Sequence, residues 1–320
     1  MDHENSCTNF TEEKNMIITA GSTYLDIDAY ACAVAMAELL RLKGENAIAY
    51  STAPCNYSVA PSLTREGQIE KTLPLDVAGN AKYMIVDVSD PEFLKASVPL
   101  ERVVAVYDHH VGFEDYWKSR IGEDAHIEFL GAAATLVYRE WRAAGLEDKM
   151  THETARLLIA AILDNTLNLT SDNTTKEDKA VFRALCEREN ADASFCAAYF
   201  TEVQASVEKD LKNALFGDLK TVRDNAALPQ RVAQISAWDA ERLLDRLPEI
   251  RTWFEDGGGA WMVNVIDIHH RYSCFVCDSE VHQKKLAELF DIAFHSGVAR
   301  TKTPYLRKEI IKKTRLFDWF

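Results

Sequence analysis

Asp26 and Asp28, then Asp87, then the run Asp108-His109-His110 are the residues of this chain best suited to chemistry. Carboxylates and imidazoles brought to one place supply the mixed oxygen and nitrogen donors that magnesium, manganese and similar divalent ions take. Two such ions sharing a bridging carboxylate activate a water and hold phosphoryl oxygens in line for displacement. Each residue also has an ordinary role open to it. An Asp-x-Asp before a helix caps that helix, a lone Asp after a strand starts a turn, and a His pair often lies on the surface. Their shared placement along the chain favours the chemical reading.

That placement follows from the elements around them. Residues 16–20, 46–50, 83–88 and 103–107 read as short apolar strands. Residues 29–41, 131–144, 153–163 and 175–189 carry apolar side chains at helical spacing. Strands alternating with helices predict a parallel α/β sheet. Each acidic point falls at or just past the carboxyl end of a strand, the edge at which open parallel sheets bind ligands. The polar stretch 187–194 is the expected linker. Beyond it the pattern restarts: helix 195–215, strand 231–235, helix 237–246, strands 261–268 and 272–277, and helices from 281 onward. The expected fold is therefore α/β with two domains, an N-terminal parallel-sheet domain over residues 15–188 and a smaller C-terminal α/β domain over 195–320. The active site is expected in the cleft between them, and residues 1–14 as a flexible leader.

Composition bounds the partners. A formal net charge of −14 disfavours long nucleic acid, whose phosphates reward basic surfaces. No charge-free stretch is long enough to cross a bilayer, and the polar N-terminus has no apolar leader. The seven cysteines are scattered and odd in number, so reduced thiols in a cytoplasmic protein are expected. Cys274 and Cys277 form a CxxC inside a predicted strand with no second pair, which favours packing over zinc or redox chemistry. Residues 300–315 hold seven basic side chains and one acid, enough to steer a small anion, although a solvated terminal helix explains most of them. Gly257-Gly258-Gly259 reads as a loop, and His269-His270 as an exposed turn between two strands. A homodimer stays open.

Asp26-Ile-Asp28, Asp87 and Asp108-His109-His110 resemble the first three motifs of the DHH phosphoesterases. The run from Gly131 to Val137 is similar to that family's small-residue helix start. Gly297-Val-Ala-Arg300-Thr-Lys302-Thr-Pro304 resembles the basic motif in the second domain of one branch, which holds the family II inorganic pyrophosphatases, the exopolyphosphatases and the prune proteins. The likeness runs from Met16 to about Lys313.

The resemblance implies a metal-dependent phosphohydrolase with two divalent ions, Mg2+ or Mn2+, acting on a small anionic phosphate substrate. Asp26 would bind one ion, Asp28 and His109 the other, and Asp87 both. His110 would contact a phosphate and protonate the leaving oxygen. Arg300 and Lys302 would clamp distal phosphates, with Lys220 a further lysine of the family pattern.

Two positions depart from it. Pyrophosphatases carry a histidine four residues before the first Asp; here that place is Ser22, an oxygen-rich substitution favouring magnesium and an exopolyphosphatase-like enzyme. In the fourth motif the family's metal-binding Asp aligns with Asn165, one residue after Asp164. Asp164 is the expected ligand, because a carboxylate serves a cation better than an amide. The expected function is hydrolysis of phosphoanhydride bonds in inorganic polyphosphate. The alternatives are an inorganic pyrophosphatase, a short-nucleotide phosphodiesterase, or a binding protein with a weakened metal site.

Overall fold

The computed structural model describes residues 15–21 and 24–315. The expected N-terminal leader and Ser22 lie outside these residues. The first sheet is built from β1 (Met16–Thr19), β2 (Ala47–Ala49), β3 (Lys82–Val86), β4 (Val103–Asp108) and β5 (Ala125–Ile127), all parallel, in the order β2-β1-β3-β4-β5. Its long strands are continuous apolar runs because helices cover both faces. The chain reaches β2 through α1 (Ile27–Leu42) and then crosses back over β1 to β3, passing α2 (Leu75–Asn80). The strand order therefore reverses between β1 and β3, and ligands of such sheets sit in the crevice at that switch point. Asp26 follows β1 and Asp87 follows β3, so the topology alone places both there.

α3 (Pro91–Leu94) and α4 (Glu114–Ile121) lead to β4 and β5. Ile17, Tyr83, Ile85, Val106 and Trp117 form the core on one face of this sheet. The opposite face is covered by α1, α5 (Ala133–Ala144), α6 (His152–Asn165) and α7 (Lys176–Glu189). α1 is apolar nearly all round and almost wholly buried, as a helix enclosed on all sides must be.

After a left-handed Asn190 ends α7, the chain continues as α8 (Ala193–Lys209) and α9 (Leu211–Gly217). The single predicted helix over 195–215 is broken at Asp210, whose φ of −143° lies outside the helical region. The second sheet comprises β6 (Lys220–Thr221), β7 (Arg231–Ala237), β8 (Trp261–Asp267), β9 (Tyr272–Cys277) and β10 (Val298–Arg300), in the order β10-β9-β8-β7-β6. β7 and β8 run parallel; the other pairs are antiparallel. α10 (Glu241–Leu244) and α11 (Leu247–Glu255) lie between β7 and β8, and α12 (Glu280–Phe290) and α13 (Arg307–Arg315) follow the later strands. The helix expected over 237–246 is only α10, because β7 continues to Ala237 in full register with β8.

The glycine run is the loop after α11. Cys274 and Cys277 are buried in separate cores on opposite faces of β9, as packing residues are. His269 and His270 are exposed in the turn between β8 and β9. Ile266, Ile268 and Trp238 of the second sheet pack against the core of the first through Phe200 of α8, which joins the two units. Among the described residues, no helix is long and apolar enough to cross a membrane.

Candidate metal centre

Asp26 caps α1, its Oδ1 accepting the Ala29 N–H at 2.9 Å, so the ordinary role exists alongside any other. Asp28, in the first turn of α1, is fully buried. Its two oxygens accept the N–H groups of Ala133 and Ala134 at 2.8 and 2.9 Å, the open N-terminus of α5. The run of small residues beginning at Gly131 permits that approach. A Cβ on Gly131 would lie 2.6 Å from Thr166 Cγ2 and 2.7 Å from Asp178 Oδ2. Asp178 in turn fixes the start of α5, accepting from Gly131 N, Thr135 Oγ1 and Thr175 N.

Asp87 ends β3 in the left-handed region, at φ 58°, a conformation that Asp tolerates better than most residues. It is buried beside His109, whose Nε2 lies 3.4 Å from Asp87 Oδ1 and 3.9 Å from Asp28 Oδ2. The other ring nitrogen, Nδ1, sits 3.1 Å from the Leu130 carbonyl. That carbonyl can only accept, so Nδ1 carries the proton and the Nε2 lone pair faces the two carboxylates. A carbonyl that accepts from the far ring nitrogen and so orients the histidine is typical of metal ligands.

The electrostatics point the same way. Burial, followed by repulsion from Asp26, pushes Asp28 up to about 7. Asp87 is raised well above the carboxylate range by burial and then by Asp28, Asp26 and Asp108. Burial holds the His109 imidazole well below its usual value, so the ring is neutral. Asp87 Oδ1 and His109 Nε2 are buried with no hydrogen-bond partner. Buried acceptors left unpaired are costly, and a divalent cation satisfies all of them together. The donor set fits a hard or borderline divalent ion.

Asp108 plays a different part. Its Oδ1 receives the His110 backbone N–H at 3.0 Å and lies 2.8 Å from His110 Nδ1. Burial would raise this carboxyl, but the His110 hydrogen bond and charge outweigh it and leave the group lowered. His110 is half exposed, 3.9 Å from Asp87.

Asp164 and Asn165 both line the cavity that opens beside Asp26. Asp164 Oδ1 accepts the Tyr199 hydroxyl at 3.2 Å, and burial together with Asp26 lifts this carboxyl to about 7. Asn165 makes only a 3.5 Å contact to Ala161 O in its own helix. The turn beyond them holds Leu167, Asn168 and Leu169 in succession at positive φ, pinned by Thr166 Oγ1 accepting from Leu169 N. Lys220 places its ammonium 5.7 Å from the ring of Tyr24, a residue that lines the cavity.

Arg300 and Lys302 are not brought to the cluster. Arg300 pairs with Glu241 and lies over the Tyr272 ring, and Lys302 pairs with Asp291, both on the exposed surface. The cation that does approach is Lys308, which sequence reasoning had left among the solvated basic residues. It follows Arg307, which is fastened to both oxygens of Asp218, at 2.5 and 3.0 Å. Lys308 is exposed overall. Burial of the ammonium lowers its pKa, while Asp87, Glu309, Asp28 and Asp108 pull it upward.

No family model matches the chain. A probable manganese-dependent inorganic pyrophosphatase of Staphylococcus carnosus is 26% identical over 292 residues, covering 87% of this chain and 92% of the relative. One of the same name from Lactobacillus helveticus is 27% identical over 233 residues, 69% of this chain and 70% of the relative. A crystal structure from Methanococcus jannaschii, described as a family II inorganic pyrophosphatase, superposes with a TM-score of 0.63 at 15% identity. It covers 95% of this chain and 99% of that one, which establishes the shared fold. Over most of its length the chain is thus similar to manganese-dependent inorganic pyrophosphatases, and it shares the fold of a family II pyrophosphatase structure. It carries the strand-end acids and the His pair, with Asp164 and Asn165 both at the end of α6.

Proposed function

We propose that this protein is a metal-dependent phosphohydrolase that cuts phosphoanhydride bonds in small phosphate substrates, exopolyphosphatase-like, with inorganic pyrophosphatase as its near neighbour. The observation that carries this reading is the neutral His109, whose unpaired Nε2 faces Asp87 and Asp28 at a topological switch point. In this reading Asp26 would help hold one divalent ion, Asp28 and His109 a second, and Asp87 both, with Asp164 as a further carboxylate ligand of the pair. Bound there, the two ions would supply an ionised water and charge neutralisation for the phosphoryl oxygens.

The chain's own residues do the rest. Asp108 holds the His110 imidazole at its Nδ1, so that His110 delivers a proton to the leaving oxygen. Lys308 and Lys220 balance phosphate charge from the second unit, a role that Arg300 and Lys302 cannot fill while they hold Glu241 and Asp291. Residues 15–188 form the metal-binding unit and 195–320 the substrate-binding unit. The oxygen-rich set favours Mg2+, although the relatives are named for manganese.

The test is phosphate release from pyrophosphate, tripolyphosphate and long polyphosphate, with each metal, by the parent and by Asp87→Asn. Release that disappears in the variant supports the reading. Absence of release from every inorganic substrate with both metals refutes it.

A further inference from the structure

Beside Asp26 and Asp164 the cleft widens into a cavity of about 370 Å³, within the ~300–1,000 Å³ range of pockets that hold drug-sized organic ligands. Among the described residues, the charged side chains lining it are Asp26 and Asp164, which the reading above gives to the metal ions, and Asp218, which Arg307 holds. No lysine or arginine lines it to take the phosphates of a polyanion away from the metal cluster. Val203, Val207, Ala214 and Ile235 supply an apolar wall, and Tyr24 and Tyr57 supply aromatic faces.

Three carboxamides complete the lining. Asn56 Oδ1 accepts both the N–H and the O–H of Ser58, which fixes its orientation and leaves the NH2 group without an acceptor among the described residues. Gln234 Oε1 accepts from Asn264 Nδ2 and Arg307 N, which leaves its NH2 group in the same condition. Asn165 has only its weak contact to Ala161 O. Unpaired amide donors beside apolar and aromatic walls match the edge and faces of a heterocyclic base. The cations sit elsewhere: Lys220 over Tyr24, and Lys308 toward Asp87. Phosphate and organic group are thus given separate places.

We infer that the preferred substrate is a nucleoside diphosphate, its terminal phosphate at the acidic cluster and its nucleoside in the Tyr24–Tyr57 cavity. This rests on the phosphoanhydride reading above and narrows its substrate. Water adds to the terminal phosphorus and the bond from that phosphorus to the bridging oxygen breaks. The products are a nucleoside monophosphate and orthophosphate, with one proton released to solvent near neutral pH.

Gly217 allows a clean test. It is exposed, lines the cavity, and a Cβ built on it meets nothing within 4 Å, so Gly217→Phe adds bulk at the cavity edge without a clash at the backbone. Initial rates of phosphate release from ADP, pyrophosphate and tripolyphosphate are compared in the full chain with Mn2+ or Mg2+. The expected kcat/KM for ADP exceeds that for tripolyphosphate at least tenfold, and Gly217→Phe lowers the ADP-to-pyrophosphate ratio at least tenfold. Tyr57→Ala, which removes a wall and adds no bulk, lowers the same ratio and serves if the first variant misfolds.

Cleavage of pyrophosphate but not ADP overturns this inference and leaves the phosphoanhydride reading standing. An equal loss on both substrates in the variants also overturns it. If nothing is cleaved, the phosphoanhydride reading fails and calorimetry decides the cavity: AMP binding at least tenfold tighter than orthophosphate supports the nucleoside site, and equal binding refutes it.

Discussion

Neutralising the central carboxylate should stabilise the metal-free protein while destroying its function. In Asp28 and Asp164 the carboxyl is held near 7 by burial and neighbouring acids. The gap from the ordinary carboxylate value of 3.8 corresponds to roughly 4 kcal/mol for each such group ionised without a cation beside it. Asp87 is raised in the same sense by the same neighbours. A group whose folded pKa lies above its unfolded value contributes stability in full below the unfolded pKa. That contribution is lost as pH rises through the folded one. For this cluster the window runs from about 3.8 to about 7.

Asn is the substitution to use, because it adopts the left-handed backbone that Asp87 requires at φ 58°, whereas Ala would be strained. Asn replaces a forced charge with a neutral amide, and its incompletely paired NH2 returns about 2 kcal/mol of the gain. Asp87→Asn in excess chelator should therefore be more stable than the parent at pH 8, with the difference shrinking as pH falls toward the unfolded carboxylate value. Urea denaturation followed by tryptophan fluorescence reads the difference. Added Mn2+ should reverse the order, because only the parent gains binding energy. A variant less stable than the parent at pH 8 in chelator, or a difference that ignores pH, would refute the electrostatic account of the cluster.

Three further outcomes follow from the packing around the site. Asp178→Ala leaves the buried Gly131 N–H and Thr135 hydroxyl without their acceptor, so it should cost about 3 kcal/mol or more in urea denaturation. Gly131→Ala meets Thr166 and the Asp178 carboxylate, and should cost about 1–3 kcal/mol and weaken Mn2+ binding measured by calorimetry, since α5 carries the donors to Asp28. Lys308→Met should lower kcat/KM for pyrophosphate tenfold or more while Arg300→Met changes it less than threefold; the reverse ranking would return the clamp to the basic motif.

The first sheet was readable because its long strands are buried on both faces and so appear as unbroken apolar runs, with β3 and β4 running straight into Asp87 and Asp108 at the binding edge. β5 escaped notice: Ala-His-Ile over residues 125–127 is too short and too polar to stand out, and only pairing with β4 makes it a strand. The break at Asp210 carries no glycine or proline to announce it. Asp26 and Asp28 were visible as a pair, but their different surroundings were not, since one caps its own helix and the other meets a helix more than 100 residues away. Lys308 was lost for the same reason. Its neighbourhood is set by Arg307 anchored on Asp218 and by the second unit meeting the first, contacts between segments far apart in the chain. Arg300 looked like a clamp by motif, yet alternation along β10 aims it at Glu241 and Tyr272.

Anomalous diffraction from crystals grown with Mn2+ tests the central claim most directly. The account predicts two peaks about 3.5–4 Å apart flanking the Asp87 carboxylate, one of them within roughly 2.2 Å of His109 Nε2. Manganese found elsewhere, for example at the Asp239, Asp267 and His270 group, with no density at Asp87, would contradict it.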